Sequence, residues 1–415
     1  MTAQEAAAAL AGVDLLNPDN FVDGVPHHFF RLLRREAPVF RHAEPAGPGF
    51  WVLTKYEDIV TVSMDSGTFS SWQGGTNIND LPEDNLAFIR MIMLNMDPPQ
   101  HTKYRRLVSK GFTPKIVHAM EPHVRTIANE IIDRVAERGE CDLVTDIAAE
   151  LPLQVILELM GVPVEDRHLV FEWSNRMIGF DDPEYQNSPE QGRAAATDMF
   201  MYANQLAVDR KRSPQADVIS TLMRAEMDGE ALTETEFDAF FVLLSVAGSE
   251  TTRNLISGGM LALLEHPQQR DRLLADPSLM PTAIDEMLRW VTPVIYFRRT
   301  VTKDTQIRGQ KINEGEKVVM YYGSGNRDED VYPDGDVFDV ARDPNPHITF
   351  GPGGAHFCLG ASLARLEIRV MFEQLLHRLP DIEPAGPVAR LRSNFIAGIK
   401  HMPVSFSPRS KRVED

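Results

Sequence analysis

A glycine-rich loop with one cysteine, directly followed by a helical pattern, is the most constraining stretch of this 415-residue chain. Residues 350–360 read FGPGGAHFCLG, and residues 361–369 continue as ASLARLEIR. The glycines permit a tight path without Cβ atoms, so that the backbone can approach something flat and large. Cys358 stands just before the predicted helix N-terminus, where unpaired N–H groups and the positive dipole end favour a thiolate. The alternative is a buried structural cysteine in a turn, the commonest fate of a lone cysteine.

A single thiolate can form only a few kinds of metal site. With no cysteine neighbour, Cys358 cannot build a zinc site or an iron–sulfur cluster, because these need several sulfur or imidazole ligands. One thiolate does suffice for the iron of haem. The loop resembles the haem-binding segment of the cytochrome P450 superfamily, whose pattern is Phe, two residues, Gly, one residue, Arg or His, one residue, Cys, one residue, Gly.

Counted from the cysteine, Gly354, His356 and Gly360 fit this pattern, whereas Phe350 lies one residue too far upstream. The mismatch is a single insertion within residues 351–353. Some bacterial members that oxidise sterol side chains and methyl-branched lipids have the same longer loop, so the resemblance points to that subgroup. It implies haem b as the cofactor, with Cys358 as the axial ligand of the iron and Phe350, His356 and Gly360 beside the haem.

A long helix that is apolar nearly all round is predicted upstream of this loop, which indicates burial in a large core. Within it stands AGSETTR at residues 247–253. Small Ala247 and Gly248 would leave space for a flat cofactor and for dioxygen. The resemblance assigns Glu250 and Thr251 to the acid–alcohol pair that delivers protons during O2 activation. The alternative, a polar helix end with an acidic cap, is disfavoured because burying an unpaired carboxylate is costly.

Cationic side chains that suit the two propionates of haem occur at two places. In MDPPQHTKYRRLV, the proline pair starts a helix that places His101 and Arg105 four apart on one face. Two donors there suit a carboxylate, and the superfamily uses this pair for that purpose. Further on, Arg298 and Arg299 are neighbours in an extended segment, so only one of them can reach a propionate easily. The resemblance favours Arg299.

A Glu-x-x-Arg pattern at Glu286 and Arg289 places two opposite charges next to each other on a helix. Alone it is a very weak signal, since any surface helix can show it. Its position ahead of the cysteine loop makes it informative, and the resemblance implies a buried ion network that Arg342 completes.

The predicted substrate pocket is apolar. Residues 67–96 read as a long loop, interpreted as a substrate-facing cover, and residues 393–399 read as a hairpin whose apolar tip enters the pocket. No charged specificity residue stands out, which favours a hydrophobic guest. The resemblance suggests terminal (ω) hydroxylation of a methyl-branched lipid, a sterol side chain or an isoprenoid. The predicted pocket residues are Met96, Val246, Ala247, Val294, Ile295, Phe395 and Ile396.

The net charge of −18, from 42 basic and 60 acidic residues, argues against nucleic acid or an anionic membrane as the main partner. Near the predicted haem site, however, the local charge is positive. The resemblance implies that an acidic ferredoxin docks there and passes on electrons from NAD(P)H; a solvated helix face has nearly equal weight. The basic residues are Lys103, Arg105, Arg106, Lys110, Lys115, Arg365, Arg369, His377 and Arg378.

The expected fold class is mainly α (α+β), with the large helical domain and smaller β-rich lobe of the cytochrome P450 fold. No linker divides the chain, so residues 1–415 are expected to form a single domain, with β-rich parts at about 35–60, 295–320 and 390–408 and a helical core at about 97–290 and 358–380. Two cysteines cannot make a disulfide framework, and the N-terminus lacks the features of a signal peptide. The most apolar run near the middle of the chain, residues 239–248, is too short to span a bilayer. A cytoplasmic protein without a membrane anchor is therefore expected.

The activity that the resemblance implies is a monooxygenase reaction, in which one oxygen atom from O2 enters an unactivated C–H bond. Two alternatives stay open at this point. A haem-thiolate peroxygenase would use peroxide directly and usually lacks the acid–alcohol pair. A non-catalytic haem sensor or carrier would need no proton relay.

Overall fold

The computed structural model describes residues 2–185, 188–213, 220, 226–227 and 230–410. Helices dominate it. None of the helices in these ranges combines the length and the apolar character needed to cross a bilayer. The α-helices are α1 (Ala3–Ala11), α2 (His27–Glu36), α3 (Tyr56–Met64), α4 (Glu83–Ile89), α5 (Gln100–Val108), α6 (Pro114–Ala119), α7 (Glu121–Ala136), α8 (Glu150–Leu159), α9 (Arg167–Ile178), α10 (Pro189–Arg212), α11 (Glu234–Glu265), α12 (Pro267–Ala275), α13 (Met280–Val291), α14 (Tyr322–Gly325) and α15 (Ala361–Arg378).

The strands form one larger sheet and several small ones, so the predicted mainly α fold with a smaller β-rich part is confirmed. The larger sheet has the order β1-β2-β10-β7-β3, in which β2 and β10 are parallel and the other pairs antiparallel. A second sheet has the order β11-β14-β4. The strands are β1 (Val39–His42), β2 (Phe50–Leu53), β3 (Phe69–Ser70), β4 (Glu140–Asp142), β5 (Glu226–Met227), β6 (Glu230–Ala231), β7 (Tyr296–Val301), β8 (Thr305–Ile307), β9 (Gln310–Ile312), β10 (Lys317–Tyr321), β11 (Glu383–Pro384), β12 (Ala389–Arg390), β13 (Ile399–His401) and β14 (Pro403–Ser405).

Both faces of the larger sheet are buried, because alternate residues of its strands join different apolar clusters. On β10, Val319 belongs to a cluster with Phe30 of α2. Its neighbour Val318 belongs to a cluster with Ile59 of α3. Arg298 and Arg299 on β7 pair with Val319 and Val318 in register, so their side chains also leave the sheet on opposite faces.

The helix α11 runs through the largest apolar cluster. Its N-terminus is closed by a capping box between Thr233 and Glu236, and it packs against α8, α9, α10, α13 and α15. Its interior hydroxyl groups find partners within the helix: Ser245 and Ser249 each donate to the carbonyl four residues back. Polar residues can therefore lie in a buried helix without an unsatisfied hydroxyl group.

The predicted cover, residues 67–96, contains β3 and α4 and is attached to the larger sheet by buried cations. Arg298 donates to the Ile78 carbonyl at 3.0 Å and to the Asp80 carboxylate at 2.7 Å. Lys317 donates to Asp80 at 2.9 Å and to Glu44 at 2.6 Å. Ion pairs and hydrogen bonds to residues 78 and 80 therefore attach the middle of this loop to the sheet. Because Arg298 makes these contacts, its guanidinium group is not available to a ligand in another place.

An ion network centred on the buried Glu286 and Arg289 joins α13 to the chain before the cysteine loop. Arg289 donates to both carboxylate oxygens of Glu286 at 2.7 Å and to the carbonyls of Asn326 and Gly335 at 2.8 Å. Arg342 adds a contact of 3.1 Å to Glu286. Neither Glu286 nor Arg289 has exposed side-chain surface. Because every charge in the network has a partner, loss of one partner would leave buried charge uncompensated.

We expect Glu286→Gln to lower the free energy of unfolding by about 3–5 kcal/mol, the usual cost of breaking a buried pair from one side. Urea denaturation of the two proteins measures this difference. The matched control is Glu190→Gln, which breaks a pair of the same spacing with Arg193 on the surface of α10 and should cost less than about 1 kcal/mol. Equal effects of the two substitutions would contradict a stabilising role for burial of the network.

Candidate active site

A cavity of about 250 Å³ lies between the middle of α11, the cysteine loop, the start of α15 and strand β7. One side is apolar and consists of α11 and neighbouring residues. The other side contains the cysteine and several cationic or imidazole side chains. The lining residues include His101, Arg105, Phe240, Leu243, Leu244, Ala247, Gly248, Thr251, Thr252, Val294, Phe297, Arg299, Phe350, His356, Cys358, Gly360 and Glu367.

The cysteine loop is tightly folded, and its glycines explain how. Gly351, Gly353 and Gly354 have φ angles of 84°, 126° and 76°, in the region that side chains disfavour. At Gly354 a Cβ atom would also lie only 2.7 Å from the Ser63 carbonyl oxygen. The backbone N–H of Cys358 donates to the Phe350 carbonyl at 2.8 Å, which closes the loop despite its extra residue.

The protonation of Cys358 differs from the sequence-based expectation. Burial raises the pKa of this thiol, and this effect exceeds the opposing influence of the Gly360 and Ala361 N–H groups and of Arg105. The helix end is therefore favourable to negative charge but does not by itself outweigh desolvation. A metal ion at the sulfur would supply what is missing, because a coordinating thiol is deprotonated outright.

Three of the predicted propionate ligands converge on the cavity without a carboxylate partner among the described residues. Arg299 is buried and donates to the Arg298 carbonyl at 2.8 Å. Arg105 donates to the Ala355 carbonyl at 3.1 Å. The Nδ1 atom of His101 is buried and has no hydrogen-bond partner in the described part of the chain. Burial lowers the pKa of His101 to about 4, with a further contribution from Arg105, so this imidazole is neutral.

His356 extends this cluster. Its ring centre lies 4.3 Å from that of His101, and its Nε2 atom lies 3.2 Å from the Ser71 hydroxyl oxygen. Burial and the charge of Arg299 lower the pKa of His356, which keeps it neutral. Two guanidinium groups and two neutral imidazoles thus face one side of the cavity, an arrangement that suits an anionic ligand.

The AGSETTR segment lies in α11, where Ala247, Gly248 and Thr251 line the cavity. The Thr251 hydroxyl donates to the Ala247 carbonyl at 2.8 Å. Gly248 was expected to leave space in the cavity, and the structure adds a second reason for a glycine here. A Cβ atom at this position would lie 2.8 Å from the Ile156 side chain of α8. The absence of that atom allows α8 to pack closely, in addition to leaving space in the cavity.

Glu250 lies behind this wall and does not line the cavity. Its carboxylate is paired with Arg253 one turn further along α11, and Arg253 donates to the Asn175 side chain on α9 at 2.8 Å. Burial raises the pKa of Glu250, although Arg253 opposes this effect. The partner Arg253 was not anticipated from the sequence, although an Arg at spacing three is a usual helical neighbour of a Glu.

Two of the seven predicted pocket residues, Ala247 and Val294, line the cavity, and the other five do not. Met96 is in the helical core, and Val246 packs against that core on another side of α11. The other three, Ile295, Phe395 and Ile396, lie next to the cavity wall. The Ile295 N–H donates to the Phe395 carbonyl at 2.9 Å, and Ile396 forms an antiparallel β-bridge with Val294. The hairpin tip therefore supports the pocket wall from behind.

The apolar lining that the sequence prediction missed follows helical spacing. Phe240, Leu243 and Leu244 precede Ala247 by seven, four and three residues, and so share its face. Glu367 was also missed. It lies on α15, one turn after Leu363, lines the cavity and is fully buried, and burial holds its pKa well above the ordinary range.

Comparisons with known proteins agree with this geometry. The family model described as Cytochrome P450 matches residues 170–380. A steroid C26-monooxygenase of Rhodococcus jostii is 43% identical over 408 residues, which cover 96% of this chain and 86% of that protein. A methyl-branched lipid omega-hydroxylase of Mycobacterium tuberculosis is 44% identical over 395 residues, covering 93% of this chain and 92% of that protein.

A solved structure shows the same architecture. The Mycobacterium marinum cytochrome P450 in complex with pseudoionone superposes with a TM-score of 0.89 at 39% identity, over 95% of this chain and 98% of that chain. Sequence relationship, fold and the cysteine-centred cavity agree, and the family expected from the sequence is confirmed. The chain belongs to the cytochrome P450 family and is a monooxygenase of that family.

Proposed function

We propose that this monooxygenase inserts one oxygen atom from O2 into a terminal, unactivated C–H bond of a methyl-branched lipid, a sterol side chain or an isoprenoid. The observation that carries the proposal is the two-sided cavity. The Cys358 thiol and unneutralised Arg105 and Arg299 face it on one side, and the apolar face of α11 with Thr251 closes the other.

The residues present fit haem b, the cofactor that the family implies. Cys358 would bind the iron, and Arg105, Arg299 and His101 would bind the propionates, which provide the carboxylates that these side chains lack within the described chain. His356, Phe350 and Gly360 would lie against the haem on the cysteine side. Haem with a thiolate ligand supplies the cleavage of the O–O bond.

The chain contributes proton delivery and exclusion of water. The Thr251 hydroxyl donates to the Ala247 carbonyl, so its oxygen lone pairs remain available to accept a proton-bearing group in the cavity. Glu250 is adjacent in the chain, and burial raises the pKa of its carboxyl group although the paired Arg253 opposes this shift, so proton uptake costs less than at an exposed glutamate. We assign Glu250 as the proton source behind Thr251.

The substrate class rests on the apolar wall and on the relatives. Phe240, Leu243, Leu244, Val294 and Phe297 offer no charged group to a substrate. The two relatives are named as a steroid C26-monooxygenase and a methyl-branched lipid omega-hydroxylase. Both names describe oxidation of hydrophobic molecules.

Electrons would come from NAD(P)H through a ferredoxin that docks near Cys358. Several basic residues of the expected docking face already have partners: Arg369 pairs with Glu121 and Arg378 with Asp133. Arg106 and Lys110 are exposed. We therefore place the attraction for an acidic partner on the α5 side of this face.

Arg299→Leu should accelerate haem loss by about tenfold or more, because one charge-assisted hydrogen bond contributes about 1.5–3 kcal/mol. The rate of haem transfer to an excess of apomyoglobin measures this effect without turnover. Arg298→Leu is the matched control, since it removes a buried guanidinium group from the neighbouring position that holds the cover loop instead. Equal acceleration by the two substitutions would refute the assignment of Arg299.

Thr251→Ala should divert reducing equivalents from product to hydrogen peroxide and lower the yield of product per NAD(P)H by about tenfold or more. Product, peroxide and NAD(P)H are measured in the same reaction. Ser249→Ala is the control, because Ser249 makes the same type of hydrogen bond to the preceding turn but does not line the cavity. Normal coupling in Thr251→Ala would remove this residue from proton delivery.

The substrate proposal is tested with purified holoenzyme and a panel of methyl-branched fatty acids, sterols and isoprenoids, each matched with an unbranched analogue. At least one branched compound should shift the Soret band and yield a terminal alcohol that depends on NAD(P)H, ferredoxin and its reductase. Equal turnover with peroxide alone would favour a peroxygenase. Reductant use without any product across the panel would favour a haem sensor or carrier.

A further inference from the structure

A second cavity, of about 210 Å³, lies among the N-terminus of α2, the last turns of α11, the end of α13 and the hairpin between β12 and β13. It shares no lining residue with the cavity at Cys358. Its volume exceeds many-fold the space that one water molecule requires. Polar residues line it at several points, so it differs in character from the substrate pocket.

Arg327 is the buried cation of this second cavity. It is 7% exposed, and its guanidinium group lies 3.8 Å from the centre of the Trp290 ring. Its Nη1 atom contacts Asp336 at 3.3 Å, whereas its Nε atom is buried and has no hydrogen-bond partner in the described residues. Burial and the nearby Arg289 lower the pKa of Arg327 to about 10, which still leaves it charged at neutral pH.

Positive charge exceeds negative charge around Arg327. Asp336 is shared with Arg31, so neither guanidinium group has a carboxylate of its own. The wider network repeats this imbalance, since five guanidinium groups share three carboxylates. These are Arg31, Arg34, Arg289, Arg327 and Arg342 with Asp336, Glu329 and Glu286. Arg34, Arg289 and Arg327 are the buried members of this set, whereas Arg31 is exposed. Buried positive charge without a full complement of carboxylates is costly unless an anion accompanies it.

The N-terminus of α2 adds a second feature that favours an anion. This ten-residue helix begins at His27, and its N-cap residue Pro26 provides no side-chain hydrogen bond. The His27 N–H donates to the Val25 carbonyl at 2.8 Å and the Phe29 N–H to the Pro26 carbonyl at 2.9 Å, so the helix contributes the positive end of its dipole. His27 lines the cavity, and its Nδ1 atom is buried and has no partner in the described chain.

Arg390 contributes from the hairpin side. Its guanidinium carbon would lie 3.6 Å from a Cβ atom at Gly24, so it covers this glycine, and it has no carboxylate within ion-pair distance among the described residues. Asp23 and Glu265 also line the cavity, but they are exposed at its rim. Solvent screens these rim carboxylates far more than it screens the buried Arg327.

We propose that this second cavity binds a small oxyanion, either phosphate or a short carboxylate, between the side chains of Arg327, His27 and Arg390, close to the positive end of the α2 dipole. The oxygen atoms would accept hydrogen bonds from the Arg327 Nε–H, from the imidazole and from Arg390. This site does not depend on the proposed substrate. It is separated from the substrate cavity by residues 291–295, of which Val291 and Ile295 face the second cavity and Val294 the first.

Isothermal titration of the purified holoprotein with inorganic phosphate, and separately with acetate, tests the site at constant ionic strength set with chloride. We expect saturable binding of at least one of the two anions, and the comparison identifies which oxyanion is preferred. Arg390→Gln should weaken this binding by about tenfold, the effect of one lost charge-assisted hydrogen bond. Arg327→Lys should weaken it as well, because lysine keeps the charge but cannot present the Nε–H.

Arg392→Gln is the matched control, because Arg392 pairs with Asp19 and does not line the cavity. It should leave anion affinity unchanged. Arg390 is only half-buried, so its variant tests the site even if the Arg327 variant fails to fold. The proposal is overturned if neither anion binds more than chloride does, or if Arg390→Gln binds with the affinity of the unsubstituted protein.

Discussion

The active site contains guanidinium and imidazole groups for which the described chain supplies no anionic partner. Arg299 and Arg105 reach the cavity with only carbonyl partners, and His101 keeps a buried nitrogen without a partner. Desolvating such groups costs several kcal/mol unless an anion compensates. The cofactor that the family implies has two carboxylates, and these would supply the negative charge that the proposed haem ligands lack. The same argument applies to the Cys358 thiol: burial raises its pKa, and a bound metal ion would stabilise the thiolate.

The helix α11 has to be buried and polar at the same time. Ser245, Ser249 and Thr251 donate their hydroxyl groups to carbonyls one turn back, so each costs little in the core. Thr251 makes such a bond and also lines the cavity, which is the basis of the role proposed for it. Glu250, a carboxylate, cannot donate to a carbonyl of the preceding turn. It is paired with Arg253, which in turn donates to the Asn175 side chain of α9. The acid of the predicted pair is thereby linked to a helix outside α11.

The sequence predicted most of what depends on local rules. Strand alternation separated Arg298 from Arg299, and the structure places them on opposite faces of the sheet, with Arg299 in the cavity. Helical spacing placed His101 and Arg105 on one face. The choice of Val246 ignored the same spacing, since Leu243, Leu244 and Ala247 share the lining face. Phe395 and Ile396 could not be placed this way, because the position of a hairpin tip depends on packing between distant segments.

Buried charge balance is the property that sequence patterns describe least well, because it depends on partners far apart in the chain. Arg298 and Lys317 meet Asp80 across more than two hundred residues, and this contact fixes the cover loop. Arg327 meets Asp336 close by, but Arg31 competes for the same carboxylate. Where a carboxylate from a distant part of the chain pairs with the buried cation, as Asp80 does, the ion pair attaches two segments to each other. Where the described chain does not supply it, a cavity lined by cations remains, as at Cys358. The same physical argument, applied at Arg327, leads to a second anion site without reference to catalysis.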